Sequence, residues 1–224
     1  VNDDINLMHR RLSAAVEYML MKTGPLTASP AFAGAFARLM PQSAEADTQF
    51  HFFPWSTDRI DRGPHKFSGF TILANQSRPE SRGHIRVVSR NPEDHPEIVA
   101  NYLSTSNDQN AAVAAIKFTR VMSRTPALSR IITEELQPGS KAWTDSDFLD
   151  YAKREGQSAY HPVGTCRMGR NSDCVVDPQL RVHGIDGLRV ADGSIMPTLV
   201  SGNTNAACMM IGEKAADLVL ADAR

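Results

Sequence analysis

The segment Tyr160-His161-Pro162-Val163-Gly164-Thr165-Cys166-Arg167-Met168-Gly169 concentrates an imidazole, a thiol and a guanidinium in a loop punctuated by proline and glycine. Loops of this composition commonly carry sites. An imidazole titrates nearest neutrality, so His161, held by the proline that follows it, can take a proton from an alcohol. The competing reading is a satisfied, half-buried histidine with a structural role. Further on, Ser201-Gly202-Asn203-Thr204-Asn205-Ala206-Ala207 places two asparagines where a helical pattern begins. Their plain role is N-capping; their functional role would be to set unpaired helix amides and the positive end of the dipole against an electron-rich ring. Between the two segments, Val190-Ala191-Asp192-Gly193-Ser194-Ile195-Met196-Pro197 ends a strand-like run with a carboxylate and a glycine, where backbone amides can approach a ligand closely. Taken alone it is an ordinary turn.

Other chemistries lack their residues. There is no GxSxG elbow, no HExxH, no paired CxxC and no GxxxxGK[ST] phosphate loop. His183 and Cys174 lie near one another without ligand spacing, so no metal is expected. GxGxxG, the fingerprint of a self-sufficient dinucleotide-binding domain, is missing too. The 24 Lys plus Arg against 25 Asp plus Glu leave a formal charge of -1, which excludes nucleic-acid or acidic-membrane binding driven by bulk charge. Cys166, Cys174 and Cys208 cannot all pair, which argues against a disulfide framework and for a reducing, intracellular setting. Val1-Asn2-Asp3-Asp4 has neither the initiator Met nor the basic and apolar regions of a signal peptide, and reads as the middle of a longer protein. No apolar run spans a bilayer, since even residues 206–220 are interrupted by Gly212, Glu213, Lys214 and Asp217. A cytoplasmic location is expected, in solution or peripheral to a membrane.

The elements that must position these residues follow from periodicity in a chain of 224 residues, long enough to bury a real core. Ile5, Met8, Leu12, Ala15, Val16, Met19 and Leu20 recur at helical spacing after caps at Asn2 and Asp3, and Gly24-Pro25 ends that helix. The stretch to about Pro41 has no clear period and reads as loop with at most a short helix. Residues 50–53, 67–75, 84–89 and 97–102 are rich in β-branched or aromatic side chains between turn residues, which predicts an antiparallel sheet. Asp108 is expected to cap a helix reaching about Ser123, and Thr144 with Asp147 has capping-box spacing, so helices should cover one sheet face. Short apolar strands such as Leu188-Arg189-Val190-Ala191 then precede a last helix over about 205–220. No internal repeat or low-complexity tract is present.

Taken in order, His161 to Gly169, Val176-Asp177-Pro178, Gly187-Leu188-Arg189-Val190-Ala191-Asp192-Gly193-Ser194 and Gly202-Asn203-Thr204-Asn205-Ala206 resemble the C-terminal region of the glucose-methanol-choline (GMC) oxidoreductase family, which uses FAD to oxidise alcohols. The likeness is strongest to its choline-dehydrogenase-like members. Arg78-Pro79-Glu80-Ser81-Arg82-Gly83 looks like that family's substrate-domain hairpin. The resemblance implies a mixed α/β fold: an antiparallel substrate-binding sheet with flanking helices over residues 1–156, then the C-terminal segment of an FAD-binding domain over 157–224. The family's nucleotide fingerprint lies in its N-terminal half, which this sequence does not contain. That half would be needed to hold FAD, and without it the chain is expected to be inactive.

Carried over by position, His161 matches the family's active-site histidine and Asn203 the partner that is either His or Asn. Together they would bind the substrate hydroxyl, His161 accepting its proton while hydride passes from the carbinol carbon to flavin N5 and Asn203 orienting the oxygen. Asp192 and Gly193 match positions near the FAD ribityl and phosphate region, Asn205 and Ala206 positions beside the flavin pyrimidine edge, and Tyr160 a further cofactor contact. The expected partners are a small alcohol, the N-terminal half, and an electron acceptor that is oxygen or a quinone-like carrier, with a dehydrogenase favoured over an oxidase. Cys166 is expected to pack as a small buried residue. Two alternatives stay open: a hydroxynitrile-lyase-like enzyme of the same fold, in which His161 does acid-base work without redox change, and a binding module with a degenerate site.

Overall fold

A computed structural model describes every residue except Val1, Ala28, Pro30, Ile60, Asp61, Ala223 and Arg224, so Val1 of the N-terminal stretch lies outside the described residues. The fold is mixed α/β, with helices and antiparallel sheets. It divides into two compact units, residues 1–75 with 115–133 and residues 76–114 with 134–224.

In the first unit, α1 (Asn2–Asn6) and α2 (Met8–Met21) replace the single N-terminal helix predicted from periodicity. The chain breaks at Leu7, which is extended at φ -94° and ψ 118°. Asn2 is fully buried and anchors α1 at long range: its amide donates to the carbonyls of Ser56 (3.2 Å) and His65 (3.0 Å), and its Oδ1 accepts the Ser56 N–H at 2.8 Å. Helix α2 ends at Lys22 in the left-handed conformation, just ahead of Gly24 and Pro25. Residues 33–37, read from sequence as loop, form strand β1 (Ala33–Ala37). Ala-Gly-Ala-Phe-Ala has little strand propensity of its own, and pairing supplies what propensity does not. It lies antiparallel to β2 (Thr48–Phe53), with Ala33 opposite Phe52 and Ala37 opposite Thr48, and β3 (Thr71–Gln76) flanks β2 on its other side. Buried Asp47 closes the β1–β2 connection by accepting the N–H groups of Leu39 (3.1 Å) and Met40 (3.0 Å). Phe50, 3% exposed, meets Phe118 of α3 (Ser106–Ser123) at a ring-centroid distance of 5.5 Å, so a helix does cover a sheet face. The short α4 (Pro126–Ser129) follows.

The second unit contains the antiparallel ribbon of β4 (His84–Arg86) and β5 (Glu97–Val99), both shorter than predicted. Gly83 permits their approach, because a Cβ there would lie 1.9 Å from the Val99 carbonyl oxygen. Asp108 does not cap α3. Thr105 does: its hydroxyl accepts the Asp108 N–H at 3.2 Å and its carbonyl the Gln109 N–H at 3.1 Å. The Asp108 carboxylate, in a residue 2% exposed, instead accepts the N–H groups of Glu80 (2.9 Å) and Ser81 (2.7 Å) and the Ser81 hydroxyl. Burial alone would push this carboxyl up, but those hydrogen bonds outweigh it and hold the pKa below the ordinary 3.8.

Helix α5 (Asp145–Glu155) carries the predicted capping box, Thr144 Oγ1 accepting from Asp147 N–H at 3.1 Å and the Asp147 carboxylate from Thr144 N–H at 2.8 Å. The strand expected at Leu188-Arg189-Val190-Ala191 does not form. Gly184 and Gly187, with φ 78° and 74°, turn the chain too often for a ladder, and only isolated bridges join Met168 to Val176, Val176 to Val182 and Arg181 to Arg189. Helix α6 (Asn205–Asp222) ends the described chain. Val176, Leu180, Ile195, Met196, Ile211 and Ala215 form the buried cluster of this unit. All three cysteines are free thiols, Cys166 half-buried. Among the described residues, no helix is long and apolar enough to cross a membrane.

Replacing Asp108 by Asn removes the charge from its hydrogen bonds and should lower stability at neutral pH by about 1–3 kcal/mol. A depressed folded-state pKa means that the carboxylate's contribution is present above 3.8 and is lost as pH falls through the folded value. In urea titrations the gap between parent and Asp108→Asn should therefore narrow in acid; a gap unchanged at acid pH contradicts the assignment.

Candidate active site

Backbone bonds fasten the His161 loop to the core. Cys166 N–H donates to the Ser194 carbonyl at 3.0 Å and Met168 N–H to the Ile195 carbonyl at 2.8 Å, which ties the loop to the 3₁₀ turn Gly193–Ile195. Ile195 and Met196 sit in the buried cluster with Ile211 and Ala215 of α6, and Val163 packs against it. Gly164 turns the chain with φ 90°, and a Cβ there would stand 3.1 Å from the Met196 carbonyl oxygen. On the facing side, Thr204 occupies the N-cap position of α6, its carbonyl accepting the Cys208 N–H at 2.9 Å.

Between loop and helix, the His161 ring is engaged at both nitrogens by consecutive residues. Asn203 Nδ2 lies 2.9 Å from Nε2, and Thr204 Oγ1 lies 2.9 Å from Nδ1. An amide nitrogen only donates, so Nε2 is an acceptor here and carries a lone pair. The ring is half-buried and Asn203 is exposed, which leaves the Nε2 side accessible from solvent. Such an atom can take a proton from a hydroxyl placed beside it.

The remaining predicted residues divide. Gly193 lies against the first turn of α6, where a Cβ would come 3.2 Å from Cys208 Sγ. Asn205 and Ala206 are the exposed first residues of that helix, whose leading N–H groups have no acceptor within the helix. Asp192 Oδ1 accepts the Ser194 N–H at 2.7 Å and so caps its own 3₁₀ turn; bonds from the Ser194 side chain and amide hold its carboxyl below the ordinary value. Tyr160 is 76% exposed with φ 60°, and its N–H donates at 3.0 Å to Ser158 Oγ, which also meets the Tyr102 hydroxyl at 3.1 Å. The fold thus joins His161 to Asn203 directly and sets Gly193 beside the α6 end that carries Asn205 and Ala206. Asp192 and Tyr160 are instead tied to Ser194 and Ser158.

Two residues gain significance only in the folded chain. Thr204 holds the second ring nitrogen; its sequence signal was no more than a hydroxyl next to Asn203. Ser201 Oγ accepts from Arg78 Nε at 3.0 Å, which links the Asp108-anchored segment 78–83 to the loop leading into Asn203. No short-range pattern could relate positions so far apart in sequence.

The family model described as GMC oxidoreductase matches residues 79–212. An oxygen-dependent choline dehydrogenase of Escherichia coli O139:H28 (strain E24377A / ETEC) is 38% identical over 203 residues, which cover 91% of this chain and 36% of that protein. The chain therefore spans about a third of the length of the curated relatives it matches. Among solved structures, a formate oxidase of Aspergillus oryzae RIB40 superposes with a TM-score of 0.87 at 24% identity, over 98% of this chain and 43% of that one, a likeness of fold. A fungal aryl-alcohol oxidase gives a TM-score of 0.66 at 30% identity, over 80% of this chain and 28% of that one.

Gly164→Ala must either hold a left-handed alanine or press its Cβ on the Met196 carbonyl. It should cost about 1–2 kcal/mol, read as a lower urea midpoint. An unchanged midpoint would show that the turn is not constrained as described.

Proposed function

The chain belongs to the GMC oxidoreductase family, and from that premise we propose that it is the substrate-facing, C-terminal part of an FAD-dependent enzyme that oxidises an alcohol to an aldehyde or ketone. The observation that carries this reading is the accessible Nε2 of His161, a proton acceptor held in a core-anchored loop 2.9 Å from the Asn203 amide. FAD, when bound, supplies the acceptor for the hydride of the carbinol carbon. His161 takes the hydroxyl proton at Nε2, and Asn203 orients the substrate oxygen, so that the reacting group is fixed before the chemistry.

The residues fit a flavin. The leading amides and positive dipole end of the 18-residue α6, at Asn205 and Ala206, suit a ring that gains negative charge on reduction. Gly193 offers backbone without a side chain, and the exposed Asp192 carboxylate keeps lone pairs beyond the one given to Ser194, as contact with sugar hydroxyls requires. Tyr160, exposed beside His161 in sequence, is assigned a cofactor contact on the family resemblance alone. Residues 1–156 are read as substrate-binding and 157–224 as the FAD-binding segment. The GxGxxG cradle lies outside these 224 residues in this reading, and isolated chain is inactive. The choline dehydrogenase relative favours a dehydrogenase and makes choline the first alcohol to try. The aryl-alcohol oxidase likeness keeps oxygen beside a quinone-like carrier as electron acceptor.

The test is anaerobic mixing of the full-length, flavin-loaded protein with alcohols, choline first, following loss of the oxidised flavin absorbance. The parent should bleach, and His161→Ala should slow bleaching by about 10²–10⁴-fold. Asn203→Ala should slow it by about 10–100-fold. Undiminished bleaching in His161→Ala overturns the mechanism, and a parent that binds FAD but is bleached by no alcohol overturns the proposed reaction.

A further inference from the structure

We infer that Thr204 is a positioning residue: its hydroxyl accepts the Nδ1 proton of His161 and so fixes the neutral ring in the tautomer whose lone pair is on Nε2. The catalytic consequence rests on the function proposed above; the tautomer itself does not.

The bonding pattern admits one arrangement. Asn203 presents Nδ2 to Nε2 at 2.9 Å, and an amide nitrogen has only protons to offer, so Nε2 is unprotonated. A neutral imidazole carries one N–H, which must then be on Nδ1, and the only role left to Thr204 Oγ1, 2.9 Å away, is acceptor. The hydroxyl is also used in a way that its position in the chain does not call for. At the N-termini of α3 and α5, Thr105 and Thr144 turn their hydroxyls onto their own helices, accepting the N–H groups of Asp108 (3.2 Å) and Asp147 (3.1 Å). Thr204 has the same place on α6, yet its hydroxyl is directed to the imidazole of a loop 43 residues earlier. A β-branched side chain is stiff at χ1, and the backbone of Thr204 is held by the Cys208 N–H, so the acceptor cannot follow a ring that rotates away. Asn203 and Thr204 being consecutive, one helix end sets both the orientation and the tautomer of the base.

In the reaction, the substrate O–H bond breaks toward Nε2, its electron pair stays on oxygen to form the carbonyl, and the hydride leaves the carbinol carbon for the flavin. The imidazolium that results keeps its Nδ1–H on Thr204, a bond strengthened by the new charge.

The experiment uses full-length, flavin-loaded protein with nitrogen-15 in its histidine rings, the His161 signals being those absent from His161→Gln. In the parent, neutral His161 should be protonated at Nδ1. Thr204→Val, equal in shape but without the hydroxyl, should move the proton to Nε2 and lower the limiting rate of flavin reduction on the order of 10–100-fold with little change in KM, and Thr204→Ser should restore both. An Nε2-protonated parent overturns the inference without any variant, as does an Nδ1-protonated Thr204→Val. A parent that no alcohol reduces defeats the proposed function, while the NMR signals still decide the tautomer.

Discussion

The imidazole of His161 is gripped at both nitrogens by two adjacent residues, and the surrounding structure is arranged so that this grip can exist. A five-membered ring with a partner at each nitrogen is fixed in plane and in tautomer, but only if the two partners keep their spacing to within a few tenths of an ångström. Consecutive residues at the start of a helix meet that requirement. The 18-residue α6 is in turn seated by Ile211 and Ala215 in the same cluster that holds Ile195 and Met196 under the histidine loop. Close packing of that cluster, more than any one polar contact, transmits position from one side of the site to the other.

Elsewhere the chain uses one device repeatedly. Asn2, Asp47 and Asp108, all buried, serve turns whose backbone amides have no ladder or helix partner. A buried polar group without partners is expensive, and so is a buried orphan amide; paired, each removes the other's penalty. Asp108 matters most for function, because the segment it holds includes Arg78, which reaches the Ser201 hydroxyl two residues before Asn203. Polar anchoring far from His161 is therefore connected to the loop that presents its partner.

How much was readable from sequence followed from the range of the interactions involved. The capping box at Thr144 and Asp147 and the last helix rest on contacts within a few residues, and both were found. Strand β1 rests on pairing with β2 across a turn, so its Ala- and Gly-rich sequence carried no period to detect. Asp108 looked like a cap because aspartate at that spacing usually is one; its carboxylate was taken instead by amides of a distant segment. Asn2 was diverted in the same way. For the site, four ordered motifs pointed to His161 and Asn203, and the 2.9 Å contact between them is consistent with that pairing. Thr204 was passed over because a threonine beside a helix start is ordinarily a cap, and only the folded chain shows its hydroxyl on Nδ1.

The central claim is that His161 and Asn203 jointly hold the hydroxyl of an alcohol against a flavin. The most direct measurement is a crystal structure of the full-length, FAD-loaded protein with a bound alcohol analogue. The account predicts the hydroxyl oxygen within hydrogen-bond distance of both His161 Nε2 and the Asn203 amide, with its carbon facing the flavin. An analogue bound away from that pair, or a His161 ring whose Nε2 is turned from the flavin, would contradict it.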